Sequence, residues 1–207
     1  MKKITKTILI GLIILVALAA TGYFVYKIIN HILYDNRINN ILADDKEIER
    51  KWLIEKEKIP YNLNSSNVVV DIKQTYLCFD PEMRVRNYNN GESYEFTVKT
   101  NMTKDGMIRD EYNVTITEEE YNNLIKKQEG NTIHKTRYQF YADGQLIAID
   151  IFHDKLDGLA YMEIEFPTEE ESKNFKDPEW TYKDVTRDIN YKNGHLARYG
   201  IPKDAYK

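Results

Sequence analysis

The chain has 207 residues, 30% of them charged and 42% hydrophobic, and carries a net charge of −4. That balance excludes a wholly disordered chain and fits one globular domain plus an appendage. Net acidity argues against a general nucleic-acid binder. The single cysteine, Cys78 in "TYLCF", excludes an internal disulfide and reads as a packed thiol.

The appendage comes first in the chain. The twenty residues from Thr7 to Tyr26, "TILIGLIILVALAATGYFVY", contain no charge. At about 1.5 Å rise per residue a helix of this length spans about 30 Å, the hydrocarbon thickness of a bilayer. Lys2, Lys3 and Lys6 precede it, and Tyr23, Phe24 and Tyr26 stand where an interfacial aromatic belt would. A cleaved signal peptide is the rival, because Ala17-Leu18-Ala19 has the small-x-small form of a cleavage site. The apolar run continues well past that site, which favours an uncleaved single-pass cell-membrane anchor over residues 1–27. Lys27, Arg37 and Lys46 flank the other end. The lysines before the span stand closer to its core and place the following domain outside the cytoplasm, with the opposite orientation still open. Residues 28–46 read as a helical stalk, from the partial periodicity of Ile28, Ile32, Ile38, Ile41 and Leu42.

Residues 47–207 form the domain proper. It opens on "EIERKWLI", which has two readings. As a helix it has the i,i+4 pairs Glu47–Lys51 and Ile48–Trp52. As a strand it puts Glu47, Glu49 and Lys51 on one face and Ile48, Arg50, Trp52 and Ile54 on the other. The segments that follow favour period two. "EMRVRNY", "NNGE" and "SYEFTVKT" read as a hairpin, and a second is expected at Ala142-Asp143-Gly144. Two short helices start with capping boxes, Thr117 with Glu120 and Thr168 with Glu171.

In most of these strands alternate positions are charged, and the signs are grouped by strand. Acids occupy 47–49 and 163–165, and bases occupy 84–86 and 135–137. A single sheet with one wet face would give this alternation too. A solvated face would also use Ser, Thr, Asn and Gln freely, whereas these positions are mostly Glu, Arg and Lys. An inward charged face in a closed antiparallel barrel would set the acids and bases around a water-filled lumen. Such a lumen suits a polyanion held between basic strands and metal-bearing acidic ones. No Gly-rich phosphate loop, Ser-His-Asp arrangement or Cys–His zinc spacing competes with it.

In order along the chain stand "EIERK", "QTYL", "RVR", "TVK", "RDE", "KTRY", "IDIF", "GLAYMEIEF" and "W-x-x-KDVT-x-D-x-x-Y-x-N". This series resembles the CYTH superfamily, the triphosphate tunnel metalloenzymes, which includes adenylyl cyclases and thiamine triphosphatases, over about residues 47–200. The resemblance implies a mainly β (α+β) fold: a closed eight-stranded antiparallel barrel with short flanking helices, here preceded by the transmembrane helix. It implies a metal-dependent hydrolase (a triphosphatase) acting on inorganic triphosphate or a related triphosphate-containing small molecule. Carried onto this chain, Glu47, Glu49, Asp150, Glu163 and Glu165 would form the metal side, with Mg²⁺ or Mn²⁺ as hard cations. Lys51, Arg84, Arg86, Lys99, Arg109, Lys135, Arg137 and Lys183 would hold phosphate oxygens, and Glu47, Glu49, Lys51 and Glu111 would be catalytic. One departure stands out: where relatives read R-x-E-x-E, this chain has Arg109-Asp110-Glu111-Tyr112-Asn113. Adenylyl cyclase, and a catalytically weak membrane-tethered polyphosphate- or nucleotide-binding module, stay open as alternatives. Oligomeric state is not legible in the sequence.

Overall fold

The computed structural model describes Tyr23 and residues 46–101, 108–142 and 144–205. The expected anchor over 1–27 and stalk over 28–46 therefore lie outside the described residues, apart from Tyr23 and Lys46. Among the described residues no helix is long and apolar enough to cross a membrane. The expectation of a single-pass cell-membrane protein with an extracytoplasmic domain is corrected on that finding.

"EIERKWLI" is a strand. It belongs to β1 (Lys46–Ile54), followed by β2 (Val68–Phe79), β3 (Glu82–Tyr88), β4 (Ser93–Asn101) and β5 (Ile108–Ile116). Helix α1 (Glu118–Leu124) leads into β6 (Glu129–Ala142), β7 (Gln145–Phe152) and β8 (Ala160–Glu165). Helix α2 (Glu169–Asn174), β9 (Thr181–Asp184) and α3 (Asn193–Tyr199) complete the chain order. Both expected hairpins form. Tyr88 pairs with Ser93 around a turn in which Asn89, Asn90 and Gly91 take positive φ, the conformation that Asn and Gly tolerate best. Ala142 pairs with Gln145, with Gly144 at φ 74°. Thr117 and Glu120 make the reciprocal capping box of α1, and the Thr168 hydroxyl accepts from the Glu171 N–H at α2.

The strands form one antiparallel sheet in the order β5-β4-β3-β2-β6-β7-β8-β1-β9. Its ends approach each other: β1 also meets β5 through Lys46–Asp110, Glu47–Arg109 and Ile48–Ile108. Farther along, the same edge of β1 is taken by β9, with Trp52 opposite Asp184 and Leu53 opposite Lys183. The closed eight-stranded barrel is therefore corrected to a nine-stranded sheet that curls until it touches along a short seam, and is not closed into a barrel along its length. The reason is a competition for hydrogen-bonding groups. An edge that pairs with β9 at Trp52–Ile54 cannot offer the same backbone groups to β5.

Both faces of the sheet are covered where β6, β7, β8 and β1 run side by side. On the outer face Ile48, Trp52, Ile149, Met162 and Ile164 are buried under Ile59, Tyr61, Leu63, Phe175 and Trp180. On the concave face Leu53, Tyr76, Ile133, Phe152 and Tyr161 are buried against Tyr191, Leu196 and Ala197, so that α3 plugs one end. Fully burying side chains of this size contributes about 1.5–3 kcal/mol each. The strand reading of "EIERKWLI" prevails for this reason: Trp52 and Leu53, neighbours in sequence, are each fully buried on opposite faces. A sheet with one wet face would leave the Leu53 side in water. What remains of the concave face, beyond the plug, is the charged part.

Candidate active site

Strand alternation brings Glu49 and Lys51 of β1, Glu163 and Glu165 of β8 and Asp150 of β7 onto the concave face. It brings Lys135 and Arg137 of β6, Arg84 and Arg86 of β3, and Lys99 of β4 to the same side. They surround a cavity of about 200 Å³ whose lining includes Glu49, Arg84, Arg86, Lys99, Lys135, Arg137 and Glu163. This is not a solvated surface: Lys51 is 2% exposed, Arg84 3%, Lys135 3%, Glu163 4% and Asp150 0%. Burying an ion costs several kcal/mol unless partners replace its water, so each must be paired.

The pairing falls into three groups. In the first, Lys51 bridges Glu49 at 3.1 Å and Glu163 at 2.9 Å. Arg137 donates to both oxygens of Asp150, each at 2.7 Å, and reaches Glu163 as well. Lys135 also donates to Asp150. Burial by itself would raise the Glu163 carboxyl, but Lys51, Arg137 and Lys135 reverse this and hold it well below its ordinary value. Burial would likewise depress Lys51, and Glu163 and Glu49 reverse that and raise it. Lys135 behaves differently: burial and the neighbouring Arg137 pull its ammonium below its ordinary value despite Asp150.

The second group is Lys99–Glu111 at 2.6 Å and Arg84–Glu111 at 3.4 Å, with Arg84 also bound to Glu82 at 3.0 Å. The third holds Arg86. Its Nε donates to Gln74 at 3.1 Å, and one terminal nitrogen donates to Glu95 at 2.8 Å and Tyr88 at 3.2 Å. Gln74 on β2 and Glu95 on β4 flank β3, so the guanidinium is fixed in position from both neighbouring strands before any anion arrives.

Other expected site residues fall elsewhere. Lys183 bonds Asp204 at 2.7 Å and Tyr191 at 3.2 Å, beside the plug, and is not among the lining residues of the cavity. Its hydrogen bond to Asp204 pushes its ammonium up to about 12. Glu47 and Arg109 pair backbone to backbone at the seam, and their side chains lie outside the described set. Asn113, at the point of departure from R-x-E-x-E, accepts a hydrogen bond from Thr97 at 2.8 Å. Tyr88, Gln139 and Asn193 line the cavity without having been singled out. Period two could have found Tyr88 after Arg84 and Arg86, and Gln139 after Lys135 and Arg137. Asn193 closes the last motif of the resemblance.

The acidic side fits a hard divalent cation that shares its coordination with a ligand. Glu49 and Glu165 are direct cross-strand partners, and like charges so placed repel. Mg²⁺ is commonly held by one or two carboxylates plus water and phosphate oxygens. Among the described residues no group of three or more His, Cys, Asp or Glu side chains is placed to hold a metal ion, so a cation here would depend on ligand oxygens and water as well. Asp150 gives its oxygens to Lys135 and Arg137 and Glu163 gives Oε2 to Arg137, while the buried Glu163 Oε1 stands 2.9 Å from the Lys51 nitrogen without a hydrogen bond.

The curled antiparallel sheet thus gathers carboxylates and cations around one small polar cavity. The CYTH domain profile matches residues 45–192. The chain is 34% identical over 155 residues to an inorganic triphosphatase of Nitrosomonas europaea, spanning 73% of this chain and 96% of that protein. It is also 34% identical over 156 residues to an inorganic triphosphatase of Acetivibrio thermocellus, spanning 74% and 94%. A crystal structure of an inorganic triphosphatase superposes with a TM-score of 0.53 at 33% identity, covering 73% of this chain and 93% of that one. This chain belongs to the CYTH domain family.

Proposed function

We propose that residues 47–207 hydrolyse inorganic triphosphate in the charged cavity, with Mg²⁺ or Mn²⁺ held by Glu49 and Glu165 and completed by Glu47. The observation that carries this reading is the set of five cations, Arg84, Arg86, Lys99, Lys135 and Arg137, lining one space of about 200 Å³. That space falls below the roughly 300–1,000 Å³ of pockets that enclose drug-sized organic ligands. Its lining also offers no cluster of rings to stack a base. The named activity of the relatives points the same way.

Phosphoryl transfer asks a protein mainly for position and charge neutralisation. Arg86, fixed by Gln74, Glu95 and Tyr88, clamps one phosphoryl group, and Arg84, Lys99 and Lys135 neutralise the rest. By the resemblance of its motif, Arg109 is proposed as a further phosphate ligand. Asp150 and Glu163 act as braces that keep Lys135, Arg137 and Lys51 ionised and aimed. Lys51 sits between Glu49 and Glu163, next to the proposed cation site, where it offsets the charge that builds on the transferring group. Glu111 fixes Lys99 and Arg84. A divalent cation, when bound, supplies Lewis acidity and a more acidic attacking water.

The test is phosphate release from a small substrate panel, with and without Mg²⁺ or Mn²⁺, in wild type and Glu49→Gln. Metal-dependent release of orthophosphate from triphosphate, lost in Glu49→Gln while the variant still melts cooperatively, is the expected result. Cyclic AMP and diphosphate from ATP would instead establish a cyclase. Tight triphosphate binding without turnover would establish a binding module, for which Asn113 in place of a carboxylate is the specific motive.

A further inference from the structure

Where α3 begins, Asn193 lines the charged cavity, while its chain neighbours Lys192 and Gly194 line a second one of about 680 Å³. That volume lies within the roughly 300–1,000 Å³ of sites for small organic ligands. Lys99 borders both spaces, but its ammonium is engaged by Glu111 at 2.6 Å. Of the two acids on the second cavity's walls, Glu82 is engaged by Arg84 at 3.0 Å, and Asp80 stands on an exposed turn. The nitrogens that remain come from the plug. Lys192, at the N-cap of α3, is followed at intervals of three by His195 and Arg198, a spacing that sets side chains on one face of a helix. Two of these groups lack the partners that such groups normally find. The His195 Nδ1 is buried with no hydrogen-bond partner, a rare condition for a buried polar atom. Among the described residues Arg198 has no ion-pair partner, and its guanidinium rests 4.7 Å over the ring of Phe79. Phe79 is in turn stacked on Tyr76 at 5.1 Å, so the bed under the guanidinium is firm.

Apolar surface stands beside these nitrogens. Ile189 and Tyr199 are 71% and 67% exposed on the rim of the cavity, Pro81 lines it too, and the Tyr199 ring lies 4.5 Å from that of His195. A cluster of nitrogen donors next to exposed rings and aliphatic groups complements a compact anionic head on an apolar body. Three nitrogens suit the three terminal oxygens of a phosphoryl group, which carries nearly two charges at neutral pH. We infer that the second cavity is a binding site for a small organic phosphate monoester. Its phosphoryl group sits on Arg198, His195 and Lys192, and its apolar body lies against Tyr199, Ile189 and Pro81. The site is separate from the charged cavity and does not depend on the triphosphate reading of it.

The experiment titrates the full chain by calorimetry with phenyl phosphate, and separately with its two halves, orthophosphate and phenol. Wild type is compared with Arg198→Ala, Tyr199→Ala and, on the charged cavity, Arg86→Ala, with a cooperative thermal melt of each variant reporting an intact fold. Wild type should bind phenyl phosphate more tightly than either half. A lost charge-assisted contact corresponds to a loss of affinity of roughly tenfold or more, which is the effect expected of Arg198→Ala. Tyr199→Ala should bring phenyl phosphate down toward orthophosphate while leaving orthophosphate itself within about twofold of wild type. Arg86→Ala should leave phenyl phosphate binding within about twofold of wild type, because that residue faces the other cavity. Binding lost in Arg86→Ala and kept in Arg198→Ala would put the anion in the charged cavity and overturn the inference. So would equal affinities for phenyl phosphate and orthophosphate, or no binding of phenyl phosphate by wild type.

Discussion

Glu163 shows most directly how single residues hold this site together. It is 4% exposed and receives Lys51 and Arg137, so removing its charge leaves the buried Lys51 and the half-buried Arg137 each short of an anion. Breaking a buried pair in this way costs about 3–5 kcal/mol. Glu163→Gln is therefore expected to lower stability by about that amount in urea melts at neutral pH. The pH dependence has a definite sign. The folded carboxyl lies well below its ordinary value of 4.5, so between those two values the unfolded chain binds the proton more readily than the folded one. Glu163 thus adds stability that is fully present above pH 4.5 and is lost as pH falls toward its folded value. Acid unfolding curves should show a shallower acid limb in Glu163→Gln than in wild type, and identical limbs would refute the assignment.

At the scale of elements, the plug is the decisive contact. Helix α3 is short and sits on β6 by close backbone approach. Gly130 has φ +70°, and a Cβ there would lie 2.7 Å from the Ala197 carbonyl oxygen and 3.2 Å from Phe79. Gly144, in the β6–β7 turn, has a similar φ of +74° but no atom within 4 Å of such a Cβ. The two glycines separate conformational cost from contact. Gly144→Ala should cost about 1–2 kcal/mol, the penalty of a left-handed backbone for an L-residue. Gly130→Ala should cost clearly more, because α3 must move as well. Thermal melts of both variants check this, and equal losses would mean that α3 is not seated as described.

Across the whole molecule, protection should be uneven. Strands β7 and β8 are buried on both faces, with runs of buried residues from Ile147 to Phe152 and from Ala160 to Ile164. Strand β5 lies at the opposite end of the sheet, with Tyr112 54% and Val114 58% exposed and its link to β1 limited to residues 108–110. Native-state amide exchange follows such differences in local opening. Amides of β7 and β8 should exchange slowest and those of Glu111–Thr115 fastest among the strands. Equal protection of β5 and β8 would show a seam much stronger than three residue pairs provide.

The sequence by itself determined the local alphabet of this protein. Its hairpin turns at Asn89–Gly91 and Gly144 and its caps at Thr117 and Thr168 depend on interactions within a few residues, and each appears where the sequence puts it. It also determined which strands carry acids and which carry bases, and through its motif series the CYTH family. The tertiary structure decided the rest. Period two separates the faces of "EIERKWLI" but cannot tell that both are buried, which depends on α3 and on the chain between Ile59 and Trp180 arriving from far along the sequence. Composition supplied the charges of Asp150, Glu163 and Lys183 without their partners. Only the register of β6, β7 and β8 gives Asp150 and Glu163 to Arg137, and only the C-terminal turn gives Lys183 to Asp204. The shape of the sheet was likewise beyond the sequence. Whether β1 spends its free edge on β5 or on β9 is a competition between distant segments for the same backbone groups, and no local pattern records its outcome.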